Sequence, residues 1–348
     1  MKKKLRVRSY LIAGFLGGAA LFAAPAAGAQ ELPGDPAGLI EQVQGDLADL
    51  GISGPEVDAV ATQATQAVEQ ASGQVAEVRE EISTQAPQLA EDATGYAGNI
   101  DGPNYHWRED TASKALAGSS TGPVLQRVAG SWFDAPDVPQ ESRDAEARGV
   151  SLYGPGTPVY VGDTMMCTLG VAGHDAAGRK IGLTAGHCGD QGDPVMSADS
   201  HGVGQSGTVV GGNKALDYSV VEFGDNAEVS NSYNGVTVNS VGGPAPATGE
   251  VLCKQGVATG HTCGNTWTAS EQVSITQVCA MQGDSGAPVM RGDQVVGMVS
   301  GGLLPFHQLQ CQSPLQGQLF MPTVVTNMSN VMADLNATGG PGAGFRVG

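Results

Sequence analysis

Three short stretches of the sequence hold side chains that together could perform nucleophilic catalysis. Ser285 lies in a Gly-Asp-Ser-Gly turn, where the flanking glycines can leave its hydroxyl exposed. A serine hydroxyl is a weak nucleophile, so it needs a base within hydrogen-bond reach and a third group that orients the base. His187, within Thr-Ala-Gly-His-Cys, is the candidate base. Asp217, which precedes an apolar run, is the candidate carboxylate that holds the imidazole, and the three residues are predicted to form a catalytic triad.

The order of these residues along the chain is His, Asp, Ser, unlike the order in subtilisins or in α/β-hydrolases. Each stretch alone has an ordinary structural interpretation, because Gly-Asp-Ser-Gly is a common turn and aspartate often ends a strand. The joint occurrence favours catalysis. The remaining histidines lack such a context and are interpreted as surface or packing residues: His106, His174, His201, His261 and His307.

Four segments in this order, Thr-Ala-Gly-His-Cys, Leu-Asp-Tyr-Ser, Gly-Asp-Ser-Gly and Ser-Gly-Gly, resemble the chymotrypsin (S1) family of serine proteases. Cys279 stands six residues before Ser285, which is the spacing of the bacterial streptogrisin-like branch. The match covers roughly residues 155–335. The resemblance implies an all-β fold of two six-stranded antiparallel β-barrels, with the site in the cleft between them.

The resemblance also implies an activity and further site residues. The activity is that of a serine endopeptidase, which cuts proteins or peptides through an acyl-enzyme intermediate without a cofactor or metal. The backbone amides of Gly283 and Ser285 would form the oxyanion hole, which stabilises the developing alkoxide. An extended substrate would add as a strand along an edge formed by Ser300, Gly301 and Gly302.

Substrate preference is predicted from residues near the expected pocket. Trypsin-like members carry an aspartate just before the pocket cysteine, whereas Thr276, Gln277 and Val278 offer no negative charge here. Val299 stands where the branch that accepts acidic side chains has a histidine. We therefore expect an uncharged, apolar P1 residue. Ala287 departs from the second glycine of many relatives, but its methyl group removes no catalytic group.

The cysteines indicate an exported, disulfide-bonded protein. All six follow residue 150, and an even number in an exported chain predicts three disulfides with fifteen possible pairings. A zinc site is the weaker alternative, because the close spacings typical of zinc ligands are absent. The family resemblance implies the pairs Cys167 with Cys188, Cys253 with Cys263, and Cys279 with Cys311.

The net charge of -18 argues against two classes of partner. An acidic surface repels phosphate backbones and anionic lipid headgroups, so nucleic-acid binding and electrostatic membrane docking are not expected. Residues 1–29 have a basic start, an apolar stretch and an Ala-Gly-Ala exit, which predicts a secretory signal peptide. A retained membrane anchor is less favoured, because the apolar stretch is short and interrupted by glycine. The protein is expected to be extracellular, without a membrane partner after cleavage.

Residues 30–149 are predicted to form an acidic, mainly helical pro-region. Apolar residues recur at helical steps from Val57 to Ile82, after a capping sequence at Ser53 and before Pro87. Such a module could act on its own protease as an intramolecular inhibitor or a folding aid. The polar segment 143–150 is cleavable, which places the expected mature start near residues 149–155.

Residues 150–336 are predicted to form the protease domain. Short β-branched runs separated by turn residues are typical of all-β folds, and apolar residues at helical steps predict a closing helix over Thr323–Leu335. Residues 337–348 are glycine-rich and are expected to be a disordered tail.

Two other functions remain open at this point. One is a catalytically silent, protease-like secreted binding protein or adhesin, with residues 30–149 as a stalk; a complete triad argues against it. The other is an esterase that uses the same serine; an edge for strand pairing favours peptides instead.

Overall fold

The computed structural model describes residue 44 and residues 106–118, 122–162, 165–303 and 309–348. The signal peptide and the helix predicted over 57–82 lie outside the described residues, and both stay predictions. Among the described residues from 106 onwards, the α-helices are α1 (Thr111–Leu116), α2 (Gln140–Ala147) and α3 (Met328–Thr338).

Strands dominate the described part of the chain. In chain order they are β1 (His106–Arg108), β2 (Val124–Gln126), β3 (Ser151–Tyr153), β4 (Pro158–Val161), β5 (Met165–Thr168), β6 (Val171–His174), β7 (Lys180–Ala185), β8 (Pro194–Ser197), β9 (Gly207–Asn213), β10 (Tyr218–Phe223), β11 (Ala227–Val229), β12 (Ser232–Tyr233), β13 (Val236–Thr237), β14 (Ser240–Val241), β15 (Val251–Gly256), β16 (Gly260–Ala269), β17 (Val273–Thr276), β18 (Pro288–Arg291), β19 (Gln294–Gly302), β20 (Thr323–Asn327) and β21 (Arg346–Val347).

The first large sheet curls around the N-terminal core in the order β21-β6-β7-β10-β9-β8-β4-β5, with antiparallel neighbours. Strand β10 shows how this sheet lies between two apolar cores. Side chains alternate between the two faces of a strand. Val221 and Phe223 point into the core of this sheet, whereas Tyr218 and Val220 pack on the opposite face against α3 and the second sheet. Both faces of β10 are therefore buried.

The second large sheet closes on itself. Its order is β14-β19-β18-β15-β16-β17-β20, and the additional β19–β20 pairing joins the ends into a ring of six strands. Val289, Val299 and Val325 are among the residues of its core. The expected all-β, two-barrel plan is confirmed, with one difference: within the described residues the first sheet has no ladder between its end strands and remains open.

All six cysteines are paired, and the pairings implied by the family resemblance are confirmed. The Cys167–Cys188 bond ties β5 to the turn that follows β7. The Cys253–Cys263 bond links β15 to β16, and the Cys279–Cys311 bond joins two loops of the C-terminal barrel.

The closing helix begins later than the sequence pattern predicted, because Thr323–Asn327 is strand β20 and only Met328–Thr338 is helical. The helical prediction for the first part was wrong. Val324 and Val325 belong to a β-branched run that pairs with β17 on one side and β19 on the other, and this double pairing closes the barrel.

The glycine-rich tail was expected to be disordered, but the structure shows it ordered. Strand β21 pairs with β6, and Phe345 is buried beside α3. The amide of Gly342 donates to the carboxylate of Asp175 over 3.2 Å. Glycines 342 and 344 both have positive φ, so here they permit the tight turns that return the chain to the sheet.

The described part of the segment 106–149 contains β1 and β2 as well as α1 and α2. Strands β1 and β2 pair with each other, and α2 packs against β3 and against a 3₁₀ segment at Ala198–Val203. A mainly helical character is therefore not confirmed for this part. In the parts of the chain that the structure describes, no helix combines the length and apolar character needed to cross a bilayer.

Replacing Phe345 by alanine tests the ordered tail. Loss of a buried phenylalanine costs about 3 kcal/mol or more of unfolding free energy, which corresponds to roughly 6–12 °C in Tm for a domain of this size. Arg346→Ala is the matched control, because this neighbouring side chain is exposed. Circular-dichroism melts of the two variants provide the measurement, and equal melting temperatures would contradict the ordered tail.

Candidate active site

His187 lies on a 3₁₀ turn, Gly186–Cys188, directly after β7. The disulfide from Cys188 holds this turn against β5. The Lys214 ammonium donates to the carbonyl oxygens of Gly186 and Gly189 over 2.6 and 2.9 Å. The backbone around the imidazole is therefore fixed from two sides.

Asp217 lies opposite this turn because β10 pairs with β7, with Tyr218 facing Ala185. Its φ is +47°, in the left-handed region, which aspartate tolerates better than most residues. The backbone N–H of His187 donates to Oδ1 of Asp217 over 2.8 Å. The turn before β10 thereby directs the carboxylate towards the imidazole.

Ser285 lies between two glycines with positive φ, Gly283 at +93° and Gly286 at +83°. A Cβ on Gly286 would lie 2.2 Å from Oγ1 of Thr184 and 2.3 Å from the carbonyl oxygen of Thr168. Only glycine fits there, because the serine turn is pressed against the N-terminal barrel. The amide of Thr168 also donates to the carbonyl of Ser285 over 2.8 Å.

The structure brings the three predicted triad residues together. Nε2 of His187 lies 2.8 Å from Oγ of Ser285. Nδ1 of His187 lies 3.1 Å from both carboxylate oxygens of Asp217. With the proton on Nδ1, the imidazole donates to the carboxylate and can accept the serine proton at Nε2.

The electrostatics of Asp217 suit this arrangement. Burial by itself raises the pKa of the carboxyl group, but hydrogen bonds from His187 and Ser300 outweigh it, and the pKa lies below its ordinary value of 3.8. The carboxylate is therefore ionised at neutral pH. It can stabilise the imidazolium that forms when His187 takes the proton.

Ser300 makes a contact that sequence reasoning did not foresee. Its hydroxyl donates to Oδ2 of Asp217 over 2.5 Å, so this side chain supports the carboxylate. Gly301 and Gly302 continue β19 beside β20, opposite Val324 and Thr323. The three residues predicted as a substrate edge thus lie at the end of a strand that runs past the site.

The turn that carries Gly283 and Ser285 is held by the buried carboxylate of Asp284. This carboxylate accepts from the amides of Ala258 over 2.8 Å and Met281 over 3.1 Å. Lys254, also fully buried, places its ammonium 3.4 Å from the same group. The predicted oxyanion donors are therefore part of a turn fixed by a buried ion pair. No local sequence signal links Lys254 to this site, since the lysine lies thirty residues upstream on β15.

One cluster has the composition of a metal site but cannot act as one. Cys253, His261 and Cys263 place possible ligand atoms within 4.8 Å of one another. The two cysteines are joined in a disulfide, so neither offers the thiolate that a metal requires.

No protein-family model matches the chain. Streptogrisin-C of Streptomyces griseus is 27% identical over 213 residues, which are 56% of this chain and 46% of that protein. Serine protease 2 of Streptomyces fradiae is 27% identical over 165 residues, which are 42% of this chain and 92% of that protein. The chain resembles bacterial chymotrypsin-like serine proteases. Among solved structures, Thermobifida fusca protease A matches with a TM-score of 0.43 and 26% identity, over 53% of this chain and 97% of that one. The chain spans less than half of streptogrisin-C.

Gly186→Ala tests the close approach of the histidine turn to Asp217 in this chymotrypsin-like site. A Cβ on Gly186 would lie 2.7 Å from the amide nitrogen of Tyr218 and 2.9 Å from Cα of Asp217. The two turns must then separate, and a displacement of about 1 Å can cost roughly 100-fold in rate. The measurement is kcat/KM on a peptide substrate. Gly211→Ala is the control, because its Cβ would meet open space; equal activity in both variants would contradict the interpretation.

Ser300→Ala tests the support of the carboxylate. A hydrogen bond to a charged group contributes about 1.5 kcal/mol, so the variant should unfold more easily at pH 7. Because the pKa of Asp217 is lowered in the folded protein, this stabilisation is complete well above pH 3.8 and is lost as the pH falls through the folded-state pKa. Thermal melts between pH 2 and pH 7 measure the difference. Ser300→Thr keeps the hydroxyl and is the control; a difference independent of pH would refute the role.

Proposed function

We propose that the chain is a secreted serine endopeptidase that cuts peptide bonds with Ser285 as nucleophile, His187 as general base and acid, and Asp217 as the orienting carboxylate. The observation that carries this proposal is the continuous hydrogen-bond chain from the carboxylate through the imidazole to the hydroxyl. The likeness to streptogrisin-C and serine protease 2 supports the same reaction class.

The proposed reaction uses each of these groups in turn. Oγ of Ser285 attacks the scissile carbonyl carbon while its proton passes to Nε2 of His187, and the carbonyl oxygen becomes an oxyanion. Amides of Gly283 and Ser285 are the proposed donors to this oxyanion, and removal of one such donor typically costs about 3 kcal/mol. Collapse of the intermediate breaks the C–N bond, and the imidazolium gives its proton to the leaving amine. Water then attacks the acyl-enzyme in the same way and releases the acid.

Peptides are the favoured substrates because of the strand end beside the triad. Ser300, Gly301 and Gly302 would pair with an extended substrate, and the absence of side chains on both glycines leaves room for the P1 residue. The side chain of Val299 is buried in an apolar cluster of the second sheet, against which Ala280 packs. The side-chain NH2 of Gln277 donates to the carbonyls of Gln318 and Phe320, and a carboxamide is neutral, so this residue offers no charge to a P1 side chain. An uncharged, apolar P1 residue is proposed.

Secretion and synthesis as a zymogen are part of the proposal. The N-terminal signal pattern and the disulfides fit an extracellular enzyme. An acidic region ahead of the barrels would restrain the protease as inhibitor or help the slow folding of a fold rich in non-local contacts.

Labelling with a fluorophosphonate tests the mechanism. Wild-type secreted protein should be labelled on Ser285, Ser285→Ala should not be labelled, and His187→Ala should react at least 1,000-fold more slowly because the base is missing. Ser240→Ala, at an exposed position of strand β14, is the control and should label normally. Labelling that persists in Ser285→Ala would contradict the proposed mechanism, and an unlabelled wild type would favour a binding protein.

A library of peptides tests the substrate preference of the same material. Cleavage should follow apolar P1 residues. Cuts made mainly after arginine, lysine or glutamate would contradict the uncharged pocket.

A further inference from the structure

Residues 122–148 form a segment, called here the strap, that precedes the two large sheets in sequence but packs against both in space. Its strand β2 is buried, with Val124 and Leu125 almost without exposure. The amide of Ala135 returns to the carbonyl of Leu125, and the carboxylate of Asp134 accepts from the amide of the same leucine. The strap thus has a defined path and a buried side.

A buried ion pair joins the strap to the N-terminal barrel. The guanidinium of Arg127 and the carboxylate of Asp199 are in contact, and their side chains are 0% and 1% exposed. Oδ2 of the same carboxylate accepts the hydroxyl of Tyr233 over 2.5 Å. Removing one partner of a buried pair leaves an uncompensated charge in the interior and is strongly destabilising. A domain without the strap would bury Asp199 without its cation.

The strap also touches the turn that carries the proposed oxyanion donors. Oγ of Ser131 donates to the carbonyl of Ala258 over 2.6 Å, and the amide of Ala258 donates to Oδ1 of Asp284 over 2.8 Å. A Cβ on Gly283 would lie 2.7 Å from Cγ2 of Val128. The strap turn 128–131 therefore lies against the oxyanion turn and is linked to it by hydrogen bonds.

A third set of contacts reaches the C-terminal barrel. The amide of Trp132 donates to the carbonyl of Gln312 over 2.7 Å. Phe133 packs against the apolar cluster formed by Cys279, Cys311 and Phe320. The strap consequently bridges the two barrels on either side of the cleft.

We propose that residues 122–148 remain part of the active enzyme, and that Val128 and Ser131 act as positioning residues for the oxyanion turn. Processing of the pro-region then ends before residue 122, and not near residues 149–155. The inference rests on the proposed peptidase function for its kinetic part. Its physical reason is that oxyanion donors act only when their geometry is preorganised, and the strap supplies a fixed surface behind Gly283.

Kinetics of a single-atom variant test the positioning role. Ser131→Ala in the full chain removes the hydrogen bond to Ala258 and leaves the Arg127 pair intact. We expect kcat to fall about tenfold with KM unchanged, because the oxyanion forms only in the transition state. Arg143→Ala is the control within the strap, since its ion pair with Asp137 is exposed, and its kcat should equal that of the wild type. An unchanged kcat in Ser131→Ala, or a change confined to KM, would overturn the positioning role.

Peptide mapping of secreted protein tests retention of the strap. Fluorophosphonate-labelled wild-type enzyme should yield peptides from residues 122–148. Labelled, fully active enzyme that lacks them would overturn the inference while leaving the peptidase function intact. If wild-type protein does not label at all, the peptidase function and the kinetic part fail together, and mapping of the same secreted protein still decides retention.

Discussion

His187 and Ser285 belong to different barrels, so the 2.8 Å contact between them depends on how the two sheets dock. The shared interface is apolar: Tyr218 and Val220 of the first sheet meet Met298 of the second and Val331 of α3. Apolar burial sets the strength of this docking, but not its position to a fraction of an ångström. Close backbone contacts set the position, because a Cβ on Gly170 would lie 2.8 Å from the carbonyl of Gly286.

Buried charges fix the loops that apolar packing leaves free. Asp284 gathers three backbone amides and the ammonium of Lys254 around the serine turn, and Arg127 joins the strap to Asp199. Such pairs are costly to bury and contribute little net stability. Any arrangement of the loops that separates the two partners, however, leaves an unpaired charge. They therefore favour one arrangement of the cleft over its alternatives. The carboxylate of Asp217 is held in a similar way, by hydrogen bonds from a histidine and a serine.

Local patterns were informative where the physics is local. The glycines around Ser285 predicted a tight turn, and the spacing of Cys279 from Ser285 pointed to the bacterial branch; the resemblance to that branch implied the three disulfides that are observed. They failed where partners from distant parts of the chain decide the outcome. The valines of β20 have helical spacing, yet this segment is a strand, because β17 and β19 pair with it on its two sides. The tail is rich in glycine, yet β6 had an edge for it to pair with.

By itself, the sequence determined the residue types of the site, their order, the cysteine framework and the all-β character, because these depend on chemistry and on short-range periodicity. Only the tertiary structure decided that Ser300 supports Asp217, that Lys254 pairs with Asp284, and that residues 122–148 pack against the barrels. Those contacts join residues far apart in the chain. Their partners are chosen by burial and by the cost of leaving a charge or a polar atom unpaired, and neither quantity exists until the sheets have closed.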